Sequence, residues 1–441
     1  MARFDSIDCA QRDHGLRTGA GDGLSRRGFL GMSALTTAFA ANMRVLDVLQ
    51  APTLAAELKR QQKRVILLWL AGGASQLETW DPKPGRPTGG PFRAISTDIA
   101  GVQVCELLPK MATRMKTTAL IRSLNTRNGD HGGGTILMET GRSKEAAVDF
   151  PDLGAIIARE LGRADSQVPD YVSLYSETEG RHKGGPGFLG ARYAPMFLTD
   201  SMIPPNIRRL DSIPEADHRD RAEFQKLLAR RFQTTHPNAS VASHGMAYER
   251  VRGLMASESL FDVNQEPQSM RDFYGPTQFQ EQCLVARRLV EAGVPFVKVA
   301  RAWWDSHGQN FETHRELCAD LDQGMSALLD DLGQRGLLEN TLVLTFGEFG
   351  RTPQINASLG RDHFANAWSC SLSGCGIKGG TVYGKTDADG QTVTEGETKA
   401  GDLFATIFAA LGIDPAKEYQ FGARPIPIVD FGCQPVKEIL A

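Results

Sequence analysis

Short runs of apolar residues alternate along the chain with longer stretches in which polar and apolar residues mix. Residues 65–70 form an unbroken apolar run that ends at Ala71-Gly72-Gly73, which is typical of a strand buried on both faces. Comparable runs predict strands at 119–123, 171–174, 295–300, 341–346 and 370–374. The glycine-rich residues 176–203 are predicted to be loop.

Amphipathic stretches between the strands predict helices. They start near 135 and near 152, the second running to 161, and they cover about 311–333 and 402–411. Because strands that alternate with helices form mostly parallel sheets covered on both faces, we expect an α/β fold with three α/β/α layers. Charged residues spaced among Leu, Phe and Ala predict a mainly helical insertion at about 205–292. Residues 60–435 are expected to form a single domain around it.

The composition changes this picture little, but it excludes several classes of protein. The 441 residues include 49 Lys+Arg and 52 Asp+Glu, a net charge of −3. Without a basic excess we expect no nucleic-acid partner. No apolar stretch reaches the roughly 20 residues that a membrane-spanning helix needs, so we expect no transmembrane span in the mature chain.

The N-terminal region, residues 1–40, has the layout of an export signal. Ser25-Arg26-Arg27-Gly28-Phe29-Leu30 precedes an Ala/Thr-rich stretch and resembles the twin-arginine signal, whose substrates cross the membrane folded. The alternative is the basic start of an ordinary helix. We favour export by the twin-arginine route, which predicts a periplasmic or otherwise extracytoplasmic protein.

The seven cysteines form no CxxC pair and no regular framework. Cys9 would leave with the signal region. Cys370 and Cys375 are close enough in sequence to form a disulfide, but a protein that folds before export need not depend on one. We therefore expect mostly free, buried thiols.

Polar clusters follow two late strands, and a third stands a little further on. They are Asp305-Ser306-His307, Glu348 with Arg351, and Arg361-Asp362-His363. Because ligands bind at the carboxyl ends of parallel strands, and because Asp, Glu and neutral His bind divalent ions, the three clusters together predict a metal or anion site. Taken singly, each cluster has a plain structural explanation. The first could be polar residues on the surface, the second a Glu348–Arg351 ion pair, and the third a helix cap followed by a histidine that is hydrogen-bonded within the protein.

Further candidates come from residues suited to anion chemistry. His131 begins a glycine-rich turn into a helix and could act as a base, a ligand or a donor to an anion; the helix start itself favours negative charge. Arg351 and Arg361 could clamp an oxyanion. Ser75 is a weaker candidate because it also suits a turn. We expect catalytic roles for His131, Glu348 and Arg351, and substrate contacts from Arg361 and Ser75.

Several motifs together resemble a large bacterial family of unknown function, number 1501 in the series of domains of unknown function. The resemblance spans roughly residues 60–415, and its most specific part is Glu348-Phe349-Gly350-Arg351-Thr352-Pro353. The other motifs are Leu70 to Ser75, Trp80 to Pro84, His131 with Thr140-Gly141-Arg142, Gly187 to Gly190, Trp304 to His307, and Gly360 to His363.

That family is similar in fold to the alkaline phosphatase and sulfatase superfamily, whose members hydrolyse phosphate or sulfate esters, or transfer phosphate, with one or two divalent metals and an activated nucleophile. The resemblance implies an alkaline-phosphatase-like fold. It also implies that Asp305, His307 and His363 bind a divalent ion such as zinc, manganese or calcium.

The chain departs from the superfamily pattern in two places. Glu348-Phe349 follows strand 341–346 where an Asp-His pair is usual, and Ala71-Gly72-Gly73 replaces the aspartate that usually ends the first strand. No Ser, Thr or Cys lies between Asp130 and Gly134, where the nucleophile is expected. The sequence therefore predicts an exported, metal-dependent hydrolase-like protein acting on phosphate or sulfate esters of a glycan or other anionic substrate. The alternative is a catalytically degenerate envelope protein that binds a ligand or partner.

Overall fold

The computed structural model describes residues 62–163, 166, 168–175, 184–204, 212–235, 253, 255 and 257–441. The export-signal region predicted at 1–40 lies outside these residues. Among the described helices, none combines the length and the hydropathy that a bilayer crossing requires.

The described strands comprise a central set and several short pairs. In chain order they are β1 Arg64–Leu70, β2 Ala94–Ser96, β3 Gln103–Cys105, β4 Thr118–Leu124, β5 Tyr171–Leu174, β6 Met196–Leu198, β7 Phe296–Arg301, β8 Thr341–Phe346, β9 Gly350–Arg351, β10 His363–Phe364, β11 Trp368–Gly374, β12 Val382–Tyr383, β13 Lys385–Thr386, β14 Val393–Glu395, β15 Glu418–Phe421 and β16 Arg424–Pro427.

The described α-helices lie mainly between the central strands. They are α1 Pro109–Ala112, α2 His131–Thr140, α3 Leu153–Leu161, α4 Glu215–Thr235, α5 Gln268–Tyr274, α6 Gln278–Ala292, α7 Asn310–Gln334 and α8 Ala400–Ala410.

Within the described residues, eight strands form the central sheet in the order β12-β4-β11-β8-β1-β7-β5-β6. Strand β1 pairs in parallel with both β7 and β8. Strand β11 runs antiparallel to its neighbours β4 and β8. The expected α/β fold with a mostly parallel sheet is confirmed.

Strand β1 lies in the middle of this sheet, and successive side chains enter different cores because side chains alternate along a strand. Ile66 and Leu68 pack in the core formed with helices α6 and α7. Leu67 and Trp69 pack in the opposite core, formed with α3 and α8. The sheet is therefore covered on both faces, which gives the three expected layers and explains the unbroken apolar run.

Local signals set the ends of the helix that carries the first site residue. Helix α2 starts at His131, four residues earlier than predicted, because the Asp130 side chain caps it by accepting from the Gly133 N–H at 2.7 Å. The glycines that follow belong to its first turn and do not form a separate loop. The helix ends at Gly141, which has a left-handed backbone.

Two further segments differ in detail from the sequence pattern. The segment expected to be loop at 176–203 contains the short strand β6, whose three residues are too few to show a hydrophobic period. Helix α6 lies within the predicted insertion, yet it packs on the sheet and contributes ten buried residues. The division of the chain into a domain with an insertion stays a prediction.

All six cysteines in the described part of the chain are free, and five of them are buried. Burial raises the pKa of the Cys105 thiol to about 12. Cys370 and Cys375 do not form the disulfide that their spacing allowed, and the prediction of mostly free, buried thiols is confirmed.

Candidate functional site

Polar residues converge at the edge of the sheet where β7 and β8, the two strands on either side of β1, end. Asp305 and His307 follow β7, and Glu348 follows β8. His131 opens α2, which comes after β4, and His363 lies in β10. Strands β9 and β10 form a hairpin in which His363 pairs with Arg351, so the two late sequence motifs are adjacent in space.

The chain approaches itself closely at this edge of the sheet. Gly72 has φ +106°, and a Cβ atom at this position would lie 2.5 Å from the Asp305 backbone nitrogen. The absence of a side chain at Gly72 therefore lets the Asp305 segment cross the end of β1. Backbone bonds from Arg361 to Ser306 and from Asn310 to Leu359 tie the segments carrying Asp305 and His363 together.

The Asp305 carboxylate is the centre of the cluster. Its Oδ2 lies 3.1 Å from His131 Nε2, and its Oδ1 lies 3.2 Å from His363 Nε2. The Nε2 atom of His307 lies 3.1 Å from the same Oδ1 and 3.0 Å from His363 Nε2. Ligand atoms of His131, Asp305 and His363 all lie within 4.8 Å of one another. The structure thus brings the three predicted metal ligands together and adds His131.

Each of these imidazoles is held from its other ring nitrogen. The Nδ1 of His131 lies 2.8 Å from Glu348 Oε1, that of His363 lies 2.8 Å from the Gly129 carbonyl oxygen, and that of His307 lies 2.8 Å from Asp362 Oδ1. Carboxylates and carbonyls only accept, so each Nδ1 carries the proton and each Nε2 presents a lone pair unless the ring is doubly protonated. Metal-binding histidines are usually fixed in this way.

At the centre of the cluster, hydrogen-bond acceptors therefore face one another without enough donors between them. Lone pairs on Nε2 and on a carboxylate repel one another at about 3 Å unless protons or a cation lie between them. Two ligands bonded at about 2.1 Å in tetrahedral geometry stand about 3.4 Å apart, close to the separations seen here. Three imidazoles and one carboxylate suit zinc and similar divalent ions. The residues therefore fit the metal that the family resemblance implies.

Electrostatics support an ionised carboxylate at the centre. Burial opposes ionisation, but the close contacts with His363 and Arg351, together with nearby positive charge, hold the pKa of Asp305 well below its usual range. The hydrogen bond to Glu348 raises the pKa of His131 above its ordinary value. Glu348 is 3% exposed, and its Oε2 has no hydrogen-bond partner among the described residues. A buried carboxylate oxygen without a hydrogen-bond donor favours a positive charge next to it.

Glu348 is placed to orient His131. The carboxylate oxygen that bonds His131, Oε1, is occupied by that contact and does not face the cluster. The same oxygen accepts from the Gly72 N–H at 2.9 Å as well as from His131. We therefore expect Glu348→Gln to weaken divalent-ion affinity by about tenfold or more, the usual effect of losing such a carboxylate. Competition titration with a metal-sensitive dye measures it.

The matched control for this prediction is Asp362→Asn, because Asp362 bonds the more exposed His307. A smaller loss of affinity is expected there. Unchanged affinity in Glu348→Gln, with only the unfolding midpoint lowered, would show that Glu348 is a structural partner alone.

Arg351 contacts the cluster but is buried within the protein. It is fully buried, its Nη2 donates to Asp305 Oδ1 at 2.7 Å, and its other donors reach the carbonyl oxygens of Gly72, Gly73 and Arg361. Burial lowers the pKa of this guanidinium, and the Asp305 carboxylate opposes that shift. Arg351 thus orients Asp305, and the structure pairs it with Asp305 where the sequence suggested Glu348.

Arg361 and Ser75, the residues expected to contact substrate, are buried, and their side chains bond other groups of the protein. Arg361 is fully buried and forms a bidentate pair with Glu78 at 3.0 and 2.7 Å. Its remaining donors bond the carbonyl oxygens of Thr88, Thr352 and Pro353. Ser75 is also fully buried, and its hydroxyl accepts from the Leu77 N–H at 3.3 Å. Their substrate contacts stay predictions, and the packing favours structural roles.

Two rings near the site differ from what their sequence position suggests. His314, seven residues after His307, is fully buried: its Nε2 accepts from the Ser75 N–H and its Nδ1 donates to the Asn310 carbonyl oxygen. Burial lowers the pKa of His314 to about 4, as suits a neutral structural residue.

The Phe349 ring lies 5.0 Å from that of His131 and 4.4 Å from that of His363. It forms an apolar wall beside both imidazoles.

An open cleft of about 430 Å³ adjoins the cluster. Asp305 and His307 line it together with Trp303, Thr313 and Glu316. This volume lies within the range of small-molecule sites. The cluster therefore borders a space that a substrate can enter.

Some residues in or beside the candidate site could not be recognised from the sequence. Glu78 lies in an ordinary polar stretch, and only its partner 283 residues away makes it a buried anchor. Asp362 stands inside the recognised Gly-Arg-Asp-His motif, so its place beside a histidine could have suggested the hydrogen bond to His307. Trp303 directly precedes the motif that runs from Trp304 to His307, and nothing in the sequence predicted that its side chain would be exposed.

The comparisons with known proteins give one family and several distant structures. A sequence model of the family described as "Protein of unknown function (DUF1501)" matches residues 62–440. A search of curated proteins finds no match. The PsFucS1 sulfatase from Pseudoalteromonas sp. is 12% identical, with 81% of this chain and 69% of that chain covered at a TM-score of 0.40. The phosphonate monoester hydrolase of Agrobacterium radiobacter is 12% identical, with 86% and 77% covered at a TM-score of 0.36.

Proposed function

The chain belongs to the protein family of unknown function DUF1501, and from this premise we propose that it is an exported, metal-dependent hydrolase of phosphate or sulfate esters. The observation that carries the proposal is the convergence of three imidazole Nε2 atoms on the Asp305 carboxylate beside an open cleft. The resemblance of residues 25–30 to a twin-arginine signal supports export.

His131, Asp305 and His363 would hold a divalent ion, with His307 as a fourth ligand from the cleft side. When bound, such an ion supplies the charge that polarises an ester oxygen and lowers the pKa of an attacking water. Glu348 and Arg351 hold His131 and Asp305 in place. Phe349 keeps one side of the cluster apolar, which strengthens electrostatic interactions there.

The proposal is tested with the mature protein on aryl phosphates, aryl sulfates and phosphorylated or sulfated sugars, each with zinc, manganese or calcium. We expect at least one ester class to be hydrolysed, activity to be lost with a chelator, and Asp305→Asn to lower kcat/KM by about a hundredfold or more. The control is His218→Ala, on helix α4. Inactivity on every ester with a metal-loaded protein would contradict the proposal.

A second candidate function is supported by the arginines. Arg351 and Arg361 are the groups expected to clamp an oxyanion, but both donate their hydrogen bonds to other groups of the protein. A catalytically degenerate protein that binds a ligand or partner in the cell envelope fits that observation. It predicts ligand binding that persists in Asp305→Ala/His363→Ala, whereas a hydrolase site would lose its substrate together with the ion.

A further inference from the structure

Trp303 differs from every other tryptophan of the chain. Its side chain is 65% exposed, whereas Trp69, Trp80, Trp304 and Trp368 are between 0 and 3% exposed. These five are all the tryptophans in the sequence. An indole exposed to water is unfavourable because its large apolar surface gains nothing there. Its position therefore needs a reason.

The backbone presents this indole in a rare conformation. Trp303 has φ +79°, which is uncommon for any residue other than glycine and exceptional for a bulky one. The next residue, Trp304, is fully buried, and its N–H donates to the Ala71 carbonyl oxygen at 3.2 Å. Trp303 is thus turned outward on a backbone that is anchored on both sides, by β7 and by Trp304. Such outliers concentrate at functional sites.

The indole lines the same cleft as the candidate metal cluster. Trp303 is two residues from Asp305, so their Cα atoms are at most about 7 Å apart, and both residues border the cleft. Thr313 and Glu316 add hydrogen-bonding groups to its wall. The cleft therefore combines a flat apolar side chain, polar groups in its wall, and Asp305 and His307 of the proposed ester-binding cluster.

A sugar ring has the chemistry that this combination suits. One face of a pyranose presents C–H groups that pack on an aromatic ring, while hydroxyl groups around its edge need hydrogen-bond partners. An acyl chain would leave Thr313 and Glu316 without partners, and a simple inorganic ester would leave the indole uncovered. A flat indole with few rotatable bonds also loses little entropy on binding.

We infer that Trp303 is a stacking platform for a saccharide, which places the sugar of a phosphate or sulfate ester against the indole with its ester group toward Asp305. The inference rests on the proposed function for the ester, and it deepens that function by naming the substrate class as a sugar ester. It assigns Trp303 a role in substrate binding, with no part in the bond-breaking step.

Acrylamide quenching of intrinsic fluorescence tests the platform directly, because Trp303 is the one exposed tryptophan among the five. The metal-loaded mature protein is titrated with chondroitin sulfate and heparin oligosaccharides, mannose 6-phosphate and dextran sulfate. Ethyl sulfate and inorganic phosphate serve as the probes without a sugar. We expect at least one saccharide to reduce the quenching constant by about twofold and to shift emission to the blue, and the sugar-free anions to do neither.

Variants then distinguish stacking of the sugar on the Trp303 indole from a general effect of removing an exposed aromatic side chain. By calorimetry, Trp303→Ala should weaken binding of the protecting saccharide by about tenfold, an effect in the range of a lost aromatic contact, and Trp303→Phe should restore part of it. Phe431→Ala, at a residue 81% exposed, is the matched control and should change nothing. Equal binding by Trp303→Ala and the native chain would overturn the inference.

The outcome for Trp303 is separate from the outcome for the proposed function, since quenching requires no turnover. Protection by a saccharide without hydrolysis of any ester supports the platform and contradicts the hydrolase. Hydrolysis of small esters while every saccharide leaves Trp303 open to acrylamide overturns the platform and leaves the hydrolase standing. Failure of both readouts overturns both.

Discussion

The mature protein is expected to contain about one equivalent of a divalent ion by elemental mass spectrometry, and the variant Asp305→Ala/His363→Ala none. The double variant removes the central carboxylate and one of the imidazoles that contact it at 3.1–3.2 Å. Two remaining histidines are too few ligands for a stable protein site, since structural and catalytic zinc sites use three or four. Metal at about 100 times its Kd should stabilise the native fold by about 2.7 kcal/mol and leave the variant unaffected.

The control for this experiment is His314→Ala, which removes a buried histidine with both nitrogens bonded inside the protein. It should lose stability and keep the ion. If the native protein takes up no ion after reconstitution with zinc, manganese and calcium, the metal centre is wrong, and protonated imidazoles then account for the contacts around Asp305.

The strands that position this site could be predicted well from the sequence, and for a physical reason. A strand buried on both faces is mostly apolar, so β1 contains the uninterrupted apolar run 65–70 and β8 contains an apolar run broken only by Thr345. The structure gives Tyr171–Leu174 and Thr341–Phe346 with the predicted bounds. The short outer strands carry no such requirement, which is why β6 lay in a segment predicted to be loop.

The convergence of Asp305, Glu348 and His131 was predictable because the topology of the sheet brings these residues together. Residues that follow neighbouring parallel strands meet at one edge of the sheet, whatever their distance in sequence. Asp305 and Glu348 follow β7 and β8, which both pair in parallel with β1, and each reaches His131 although they are 43 positions apart by residue number. What the sequence left open was the role of each group: His131 was a base, a ligand or a donor, and only the hydrogen bond at its Nδ1 shows which nitrogen faces the cluster.

The arginines could not be interpreted in the same way, because their roles depend on burial and distant partners. Near a predicted site, an arginine is equally suited to bind an anion or to tie loops together. The pairing of Arg361 with Glu78 spans 283 positions and leaves no local pattern. Five donor contacts on Arg361, all to protein atoms, favour the second role.

Arg361→Met is accordingly expected to lower the free energy of unfolding by about 3–5 kcal/mol, because it leaves the Glu78 carboxylate buried without its partner. Both side chains of this pair are fully buried. The guanidinium also bonds the Thr352 and Pro353 carbonyl oxygens at the start of the 352–362 loop, so its loss should loosen the segment that carries His363 and reduce metal affinity as well. Urea unfolding followed by far-ultraviolet circular dichroism measures the stability.

Two further variants separate a structural role from substrate binding. Glu78→Leu/Arg361→Met removes both charges and should recover part of the loss, since replacing a whole buried pair with apolar residues is often tolerated. Arg86→Met breaks an exposed pair with Asp389, with side chains 47% and 33% exposed, and should have little effect because solvent already screens it. If Arg361→Met instead kept its unfolding midpoint and lost only affinity for an anionic ester, Arg361 would contact substrate as first expected, and its guanidinium would have to leave Glu78 to do so.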